Sequence, residues 1–491
     1  MNQISFSTNA AKSGRMTLSV ISEDGHEVFI HSRIHPENDK SVSLSEDFSG
    51  CVILLGLGLG YHVMNLNAEK IKELIVVEIS EEIAQIGKDI ILENSSQKAK
   101  INFASPESKE FSDKFWEQLI NIETSSSFVI LEHPASVRAF PSYYTKARET
   151  LSSYISKKAS DNLTIKKFGI LYFKNILKNM DSFVSSSSIE CFKDKFNEYE
   201  AVVVSSGPSI DLYAEKIKNI ESKVFVIAVD SALPVLAENK IEPDFVISID
   251  PQAYTWEHLN VIKSSTILIQ SLTAHNSVKT DRQYFYLNSH PMCQIIDHLF
   301  DAENIDSKCG NVAGDAINFA KYCGFKKTYI AGIDSSFPFH EIYSRSSSYQ
   351  KRYMFRSTRL NTVEKQNSDY IFKNSSNYKV GGVNTRKSFI NYKNAIEKIL
   401  SDKFVHISKY SLPLKNCVLS DEIEITSYES DKRKMLNNIV KSGNILNISK
   451  KKLNDFVMQK EVREELFEQS LSGCSEAHTK KLLELMKCVL V

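Results

Sequence analysis

The stretch AVVVSSGPSIDLY, residues 201–213, decides how the chain is read. Ala201 to Val204 are small or β-branched residues without a polar interruption, as in a strand buried on both faces of a parallel sheet. Ser205-Ser206-Gly207-Pro208-Ser209 follows, and then a helical start. Gly207 permits a tight turn. Pro208 presets φ near a first helical position, where its missing N–H would be unpaired anyway. A strand, a small-residue turn and a helix N-terminus form an anion site, because free N–H groups and the helix dipole converge there. The loop lacks the Gly-Lys-Ser/Thr of a Walker A loop, so it has room for about one phosphate and no dedicated grip on a triphosphate.

Strand-like runs surround this stretch at 201–205, 224–229, 244–249, 266–270, 284–287 and 327–332, most of them separated by helical stretches. That alternation predicts an α/β domain with a parallel sheet. Three runs end in aspartate: Asp230, Asp250 and Asp334. The carboxyl edge of an open α/β sheet is where ligands bind, so the three aspartates, with Gln252, are candidate site residues. Aspartate is also a good helix cap, and that reading stays open. CGNVAGDAINFAKYCGF, 309–325, predicts a helix capped by Asn311 and stopped by Gly324, with Gly310-Asn311 as a further polar contact to a ligand. Residues 335–387 are polar and weakly periodic and read as a long functional loop.

In order along the chain come S-G-P-S (206–209), V-D-S-A-L (229–233), I-E-P-D-F-V-I-S-I-D (241–250), G-N-V-A-G-D-A (310–316), Y-I-A-G-I-D (329–334) and His340. This series resembles the Maf (motility-associated factor) family of bacterial flagellin glycosyltransferases. The central region is also similar to bacterial sialyltransferases that use CMP-sialic acid and to archaeal hydroxymethylpterin pyrophosphokinases. The resemblance implies transfer of a nonulosonic acid, of pseudaminic or legionaminic type, from a CMP donor to Ser or Thr of flagellin. It places a histidine at His340, suited to act as general base because imidazole titrates near neutrality. It implies catalytic roles for His340, Asp250 and Asp334. Ser206, Gly207, Pro208, Ser209, Asp230, Asp250, Gln252, Gly310 and Asn311 would bind the donor. No D-x-D motif stands near these strands, so no metal and no cofactor beyond the donor is expected. The segment 380–397 resembles the family's last central motif, with Arg386 where an acidic residue often follows the threonine.

The 491 residues suggest two to four domains, and the 60 basic residues balance 60 acidic ones. That balance gives no global pull towards nucleic acid or acidic lipid. Eight cysteines, at 51, 191, 293, 309, 323, 417, 474 and 488, show no C-x-x-C spacing and read as thiols in a reducing compartment. The polar start predicts no signal peptide, and no apolar run is long enough for a membrane span, so a cytoplasmic protein is expected.

Three regions are expected: 1–160, Rossmann-like; 161–414, the catalytic domain; and 415–491, where strands stop and a lysine-rich helical tail begins. In the first, Gly56-Leu57-Gly58-Leu59-Gly60 follows a strand, and Glu78 ends the next one. This resembles a dinucleotide or S-adenosylmethionine fingerprint. Nothing downstream supplies a catalytic set, so the loop reads as a structural relic. Two alternatives to the transferase remain: a pterin-type pyrophosphokinase using ATP and Mg²⁺, and a flagellin-binding, chaperone-like protein with a dead site.

Overall fold

Glu200–Val204 is a strand with all five residues buried. Phe225–Val229, Phe245–Ser248 and Ile267–Ser271 are likewise buried throughout. Strands that read as continuous apolar runs are covered on both faces, and each fully buried aliphatic side chain contributes ~1.5–3 kcal/mol. The computed structural model describes residues 4–442, apart from 95–99, 105–110, 121–127, 291–292, 294–295, 298–302, 376–378, 408 and 426–431. The chain divides into two compact units, Met1–Lys166 and Lys167–Val491, with the division inside the helix Pro141–Ser185.

The second unit is built on an eight-stranded sheet. Its order is Gln283–Tyr286, Ile267–Ser271, Phe245–Ser248, Phe225–Val229, Glu200–Val204, Lys327–Ala331, Phe404–Ile407 and Val418–Ser420. Every pairing is parallel, and Val202 lies opposite both Val226 and Tyr329. The chain leaves Glu200–Val204 in one direction, adds four strands, then returns to its other side with Lys327–Ala331. That reversal is a topological switch point, where open α/β sheets bind ligands.

Helix Ile210–Ile220 turns Ile210, Tyr213, Ala214 and Ile217 onto the sheet, the i, i+3, i+4, i+7 stripe of an amphipathic helix. Helix Val312–Cys323 starts and stops as the sequence predicts. Asn311 Oδ1 accepts from Gly314 N at 2.8 Å, and Gly324 closes the helix with φ 78°.

Two expectations are corrected in this unit. Residues 335–387 are no featureless loop. They hold helices Ser348–Arg356 and Val363–Ser375 and a small hairpin, Lys379–Val380 with Val383–Asn384. Phe337, Ile342 and Ile371 form a separate small core, with Tyr343, Tyr353, Tyr370 and Phe389 around it. The aromatic residues that anchor this insert are too sparse to give a periodic signal. Nor do strands stop at 415, because Val418–Ser420 closes the edge of the main sheet. Helix Lys432–Ser442 then docks through Lys432, whose Nζ donates to Asp244 Oδ2 at 2.8 Å and to the carbonyl of Val224 at 3.0 Å. The helical tail expected over 443–491, with Cys474 and Cys488, lies outside the described residues. The six described cysteines are free thiols.

The first unit has a four-stranded parallel sheet in the order Lys100–Ala104, Ile71–Val77, Gly50–Leu55 and Phe128–Glu132. A three-stranded antiparallel sheet, Phe6–Ala10, Met16–Ile21 and Glu27–Phe29, accompanies it. Trp116, Tyr143 and Tyr144 anchor its core. Among the described residues, no helix is long and apolar enough to cross a membrane.

Candidate functional site

At the switch point the loops after Glu200–Val204 and Lys327–Ala331 meet backbone to backbone. Gly207 N donates to Gly332 O at 3.0 Å. A Cβ on Gly207 would stand 2.4 Å from that carbonyl, and one on Gly332, whose φ is +75°, 2.2 Å from Ser205 O. Both positions therefore require glycine. Asp334 reaches across from the second loop, and its Oδ2 accepts from Ser209 N at 3.0 Å. A carboxylate of the protein thus stands at the helix N-terminus that the sequence offered to a phosphate. Burial pushes the Asp334 carboxyl up, and hydrogen bonding from Ser209 opposes this. Ser206 faces the neighbouring strand end, its Oγ 2.9 Å from Ser231 Oγ.

One strand over, Asp230 is fully buried. Its Oδ2 accepts from Ser248 Oγ at 2.8 Å and its Oδ1 from Ser231 N at 2.7 Å. Burial raises its carboxyl to about 7, Ser248 works against this, and the nearby charge of Asp250 adds to it. Asp250 is half-buried. Its Oδ1 accepts from Gln252 N at 2.9 Å and its Oδ2 from the Tyr254 hydroxyl at 2.5 Å, while Gln252 Nε2 donates to Tyr254 Oη at 3.2 Å. The Asp250 carbonyl accepts from His275 N at 2.9 Å. Burial and the charge of Lys178 lower the pKa of His275, against the opposite pull of Asp250, so its imidazole is neutral at pH 7.

Side chains from other elements complete this edge. Helix Pro141–Ser185 places Asn175 and Asn179 one turn apart. Asn175 Nδ2 donates to the carbonyls of Pro251 and Thr273, and Asn179 Nδ2 to those of Leu272 and Ala274, at 2.9–3.1 Å. These four bonds fix the loops that carry Asp250 and His275. Tyr172, on the same helix, has its phenol raised to about 12 by burial and by the charge of Asp250.

The insert brings Tyr349 and Arg352. The Arg352 guanidinium lies 5.4 Å and 5.3 Å from the ring centres of Tyr254 and Tyr349, and pairs with Glu257 at 2.7 Å. Burial, then hydrogen bonds to Asp250 and Tyr349, push the Tyr254 phenol far up, so it stays a proton donor. The sequence reading missed Tyr254, Tyr349 and Arg352. The usable signal was the aromatic and basic run YQKRYMF at 349–355, inside the segment taken for a loop.

The other predicted residues take distinct positions. Asn311 is the helix cap described above, and Gly310 beside it has φ +73°. His340 is exposed, in the short turn Pro338–His340, where Phe339 and His340 both have positive φ, 58° and 56°. The turn is held by Phe337 N donating to Asn384 O and by the Phe339 ring 5.1 Å from that of Tyr410. Thr385 Oγ1, in the motif that carries Arg386, donates to Ser335 O at 2.7 Å. Downstream, Ser344 N donates to Ser206 O, tying this loop to the switch point.

Among the described residues, Asp230, Asp250 and Asp334 do not converge into a cluster that could hold a metal ion. Cavities of about 460 and 600 Å³ open at the opposite, amino edge of the sheet, beside Asp244 and Thr266. The polar and titratable groups converge at the carboxyl edge, and chemistry outweighs cavity size in locating the site.

In the first unit, Glu78 does what Asp334 does in the second. Its Oε2 accepts from Leu57 N at 2.6 Å and Gly58 N at 3.0 Å, and its Oε1 from Ile79 N and the Tyr144 hydroxyl. The glycine-rich loop spends these N–H groups on the carboxylate that would otherwise meet a ribose.

The fold matches that of a solved Maf glycosyltransferase from Magnetospirillum magneticum AMB-1, at 15% identity and TM-score 0.60 over 99% of this chain and 82% of that one. A family model described as 6-hydroxymethylpterin diphosphokinase MptE-like matches residues 174–339. An uncharacterized protein of Treponema pallidum (strain Nichols) is 31% identical over 117 residues, 23% of this chain. The chain spans about half, 53%, of the length of that curated relative. The protein is thus a multidomain α/β chain with the Maf glycosyltransferase fold.

Proposed function

We propose that this protein is a cytoplasmic glycosyltransferase that moves a nonulosonic acid from a CMP donor to Ser or Thr of flagellin. The likeness to a Maf glycosyltransferase over 99% of the chain carries the reading. The carboxyl edge suits the chemistry. As the sugar becomes oxocarbenium-like, negative charge builds on the departing CMP phosphate, and preorganised donors lower that barrier. Ser206, Gln252 and Arg352 offer hydroxyl, amide and guanidinium donors at this edge, while the Tyr254 hydroxyl gives its proton to Asp250. Asp250 orients Tyr254 and Gln252. The acceptor is a protein, so its base must be reachable from outside; exposed His340 meets that condition, in a backbone conformation that stores strain.

Intact-mass analysis of flagellin coexpressed with this protein and a CMP-nonulosonate pathway tests the reading. Addition of nonulosonate masses that disappears without this protein supports it; unmodified flagellin overturns it.

A pterin-type diphosphokinase is the second reading, favoured by the match over 174–339. It needs a carboxylate cluster for Mg²⁺. The three strand-end aspartates instead serve separate partners: Ser209 N, Ser248 Oγ and the Tyr254 hydroxyl. Stabilisation by CMP without added metal favours the transferase; stabilisation only by ATP with Mg²⁺ favours the kinase.

A further inference from the structure

The first unit has its own switch point, between Gly50–Leu55 and Phe128–Glu132. The glycine-rich loop and the short helix Tyr61–Met64 follow one strand, and His133 follows the other directly. Three histidines gather there around one carboxylate. His31, Asp39, His62 and His133 each place a ligand atom within 4.8 Å of the others. All three imidazoles are buried, and Asp39 is the member with exposed side-chain surface, 14%.

The hydrogen bonds assign the protons. Leu59 N donates to His31 Nε2 at 2.8 Å, so that nitrogen carries no proton. The proton of neutral His31 is then on Nδ1, which donates to Asp39 Oδ2 at 3.2 Å. His31 therefore orients the carboxylate. His133 bonds through Nδ1 to Ser136 Oγ at 2.9 Å, and its Nε2 donates to Asp39 Oδ2 at 3.3 Å. His62 Nδ1 lies 3.8 Å from the same oxygen, and neither ring nitrogen of His62 makes a hydrogen bond of normal geometry, although the ring is buried. The His62 and His133 rings stack at 4.2 Å and 4°. A buried imidazole without a hydrogen-bond partner, His62, thus lies beside a carboxylate, an arrangement that is costly unless a cation joins the two.

We propose that Asp39, His62 and His133 form a binding site for a divalent transition-metal ion of the zinc type, with His31 as its positioning residue. Bonds of about 2.0–2.1 Å in tetrahedral geometry separate neighbouring ligand atoms by about 3.4 Å. The 3.3 and 3.8 Å separations from Asp39 fit that spacing, and the stacked His62 and His133 rings would have to turn out of their parallel arrangement for both to face one ion. Two imidazoles and one carboxylate suit a borderline d-block cation and not Mg²⁺ or Ca²⁺, which prefer oxygen. Three protein ligands leave a fourth position for water or a ligand. Ser136 on His133, and His31 on Asp39, are the outer hydrogen bonds that metal ligands usually carry. The ligands come from residues 39, 62 and 133, so the ion would tie together the loops at this strand edge, where Glu78 already occupies the N–H groups of the glycine-rich loop.

The test is metal content and Zn²⁺ titration of the full-length protein after chelator treatment. One equivalent bound, with a rise in melting temperature on Zn²⁺ addition, is expected for the wild type. Asp39→Asn, which keeps the side-chain shape, and His62→Gln should lose that equivalent. His31→Gln should weaken binding by about 10–100-fold. His26→Gln, at an exposed position, should bind as the wild type does. Cobalt substitution gives an independent readout, a visible d–d band present in the wild type and absent in Asp39→Asn. A wild-type protein that takes up no Zn²⁺ or Co²⁺ at micromolar concentration overturns the proposal, whatever the variants do. So does an Asp39→Asn protein that binds as tightly as the wild type.

Discussion

Asp334 Oδ2 lies 3.0 Å from the backbone nitrogen of Ser209, so the helix beginning at Ile210 is capped by a side chain from a strand end 125 residues away. The cap crosses the switch point and locks the two loops that flank it. Removing it in Asp334→Ala should leave the Ser209 N–H unpaired and cost about 1–3 kcal/mol. Asp334→Asn keeps an acceptor oxygen. Because burial raises the Asp334 carboxyl, loss of its charge should be neutral or stabilising at pH 7. Chemical denaturation of the two variants checks this; equal losses in both would mean that the charge, and not the cap, matters.

Asp230 predicts a pH dependence. Its folded value is about 7 against an ordinary 3.8. The folded state therefore holds a proton that the unfolded chain has released between those values. Stability from this group is full below the unfolded pKa and falls as pH rises towards 7, then levels off. Over pH 5 to 8 the loss is about 2–3 kcal/mol. Asp230→Asn abolishes the titration, so the variant should gain on the wild type by that amount across the interval. Parallel stability profiles from pH 5 to pH 8 would rule out a protonated Asp230.

Asp250 and Tyr254 should act as a unit. Asp250→Asn weakens the acceptor for the Tyr254 hydroxyl, and Tyr254→Phe removes the donor. Each should reduce sugar transfer by ~10²-fold or more while far-UV circular dichroism stays unchanged. The double variant should be little worse than either single one, because coupled residues are not additive. Full additivity in transfer rates would separate the two roles.

The main strands were legible because a strand covered on both faces must be apolar throughout: the runs expected at 201–205, 224–229 and 244–249 are strands at 200–204, 225–229 and 245–248. Phe404–Ile407 and Val418–Ser420 escaped notice, being short and set among polar residues. Asp230, Asp250 and Asp334 could be placed at strand ends, yet their partners could not be read. Whether such a carboxylate caps a helix, shares a proton with a serine or orients a tyrosine depends on what the neighbouring loop brings. Tyr349 reaches Tyr254 across 95 positions of sequence, and no periodicity encodes a contact of that range. The His31, Asp39, His62 and His133 cluster was invisible for the same reason, since its members span more than one hundred residues without a compact motif.

Two histidines compete for the role of base, and their surroundings separate them. His340 is exposed in a left-handed turn tied to Asn384 and Tyr410. His275 is half-buried, its Nδ1 2.7 Å from Ser277 Oγ and its backbone bonded to Asp250. A general base contributes ~10²–10⁴-fold, so His340→Ala should cut transfer to flagellin by that range with CMP binding little changed. His275→Ala keeps the backbone bond to Asp250 and loses only the imidazole bond to Ser277, so it should change transfer less than His340→Ala does. Near-normal turnover in His340→Ala, together with a loss of turnover in His275→Ala, would move the base to His275.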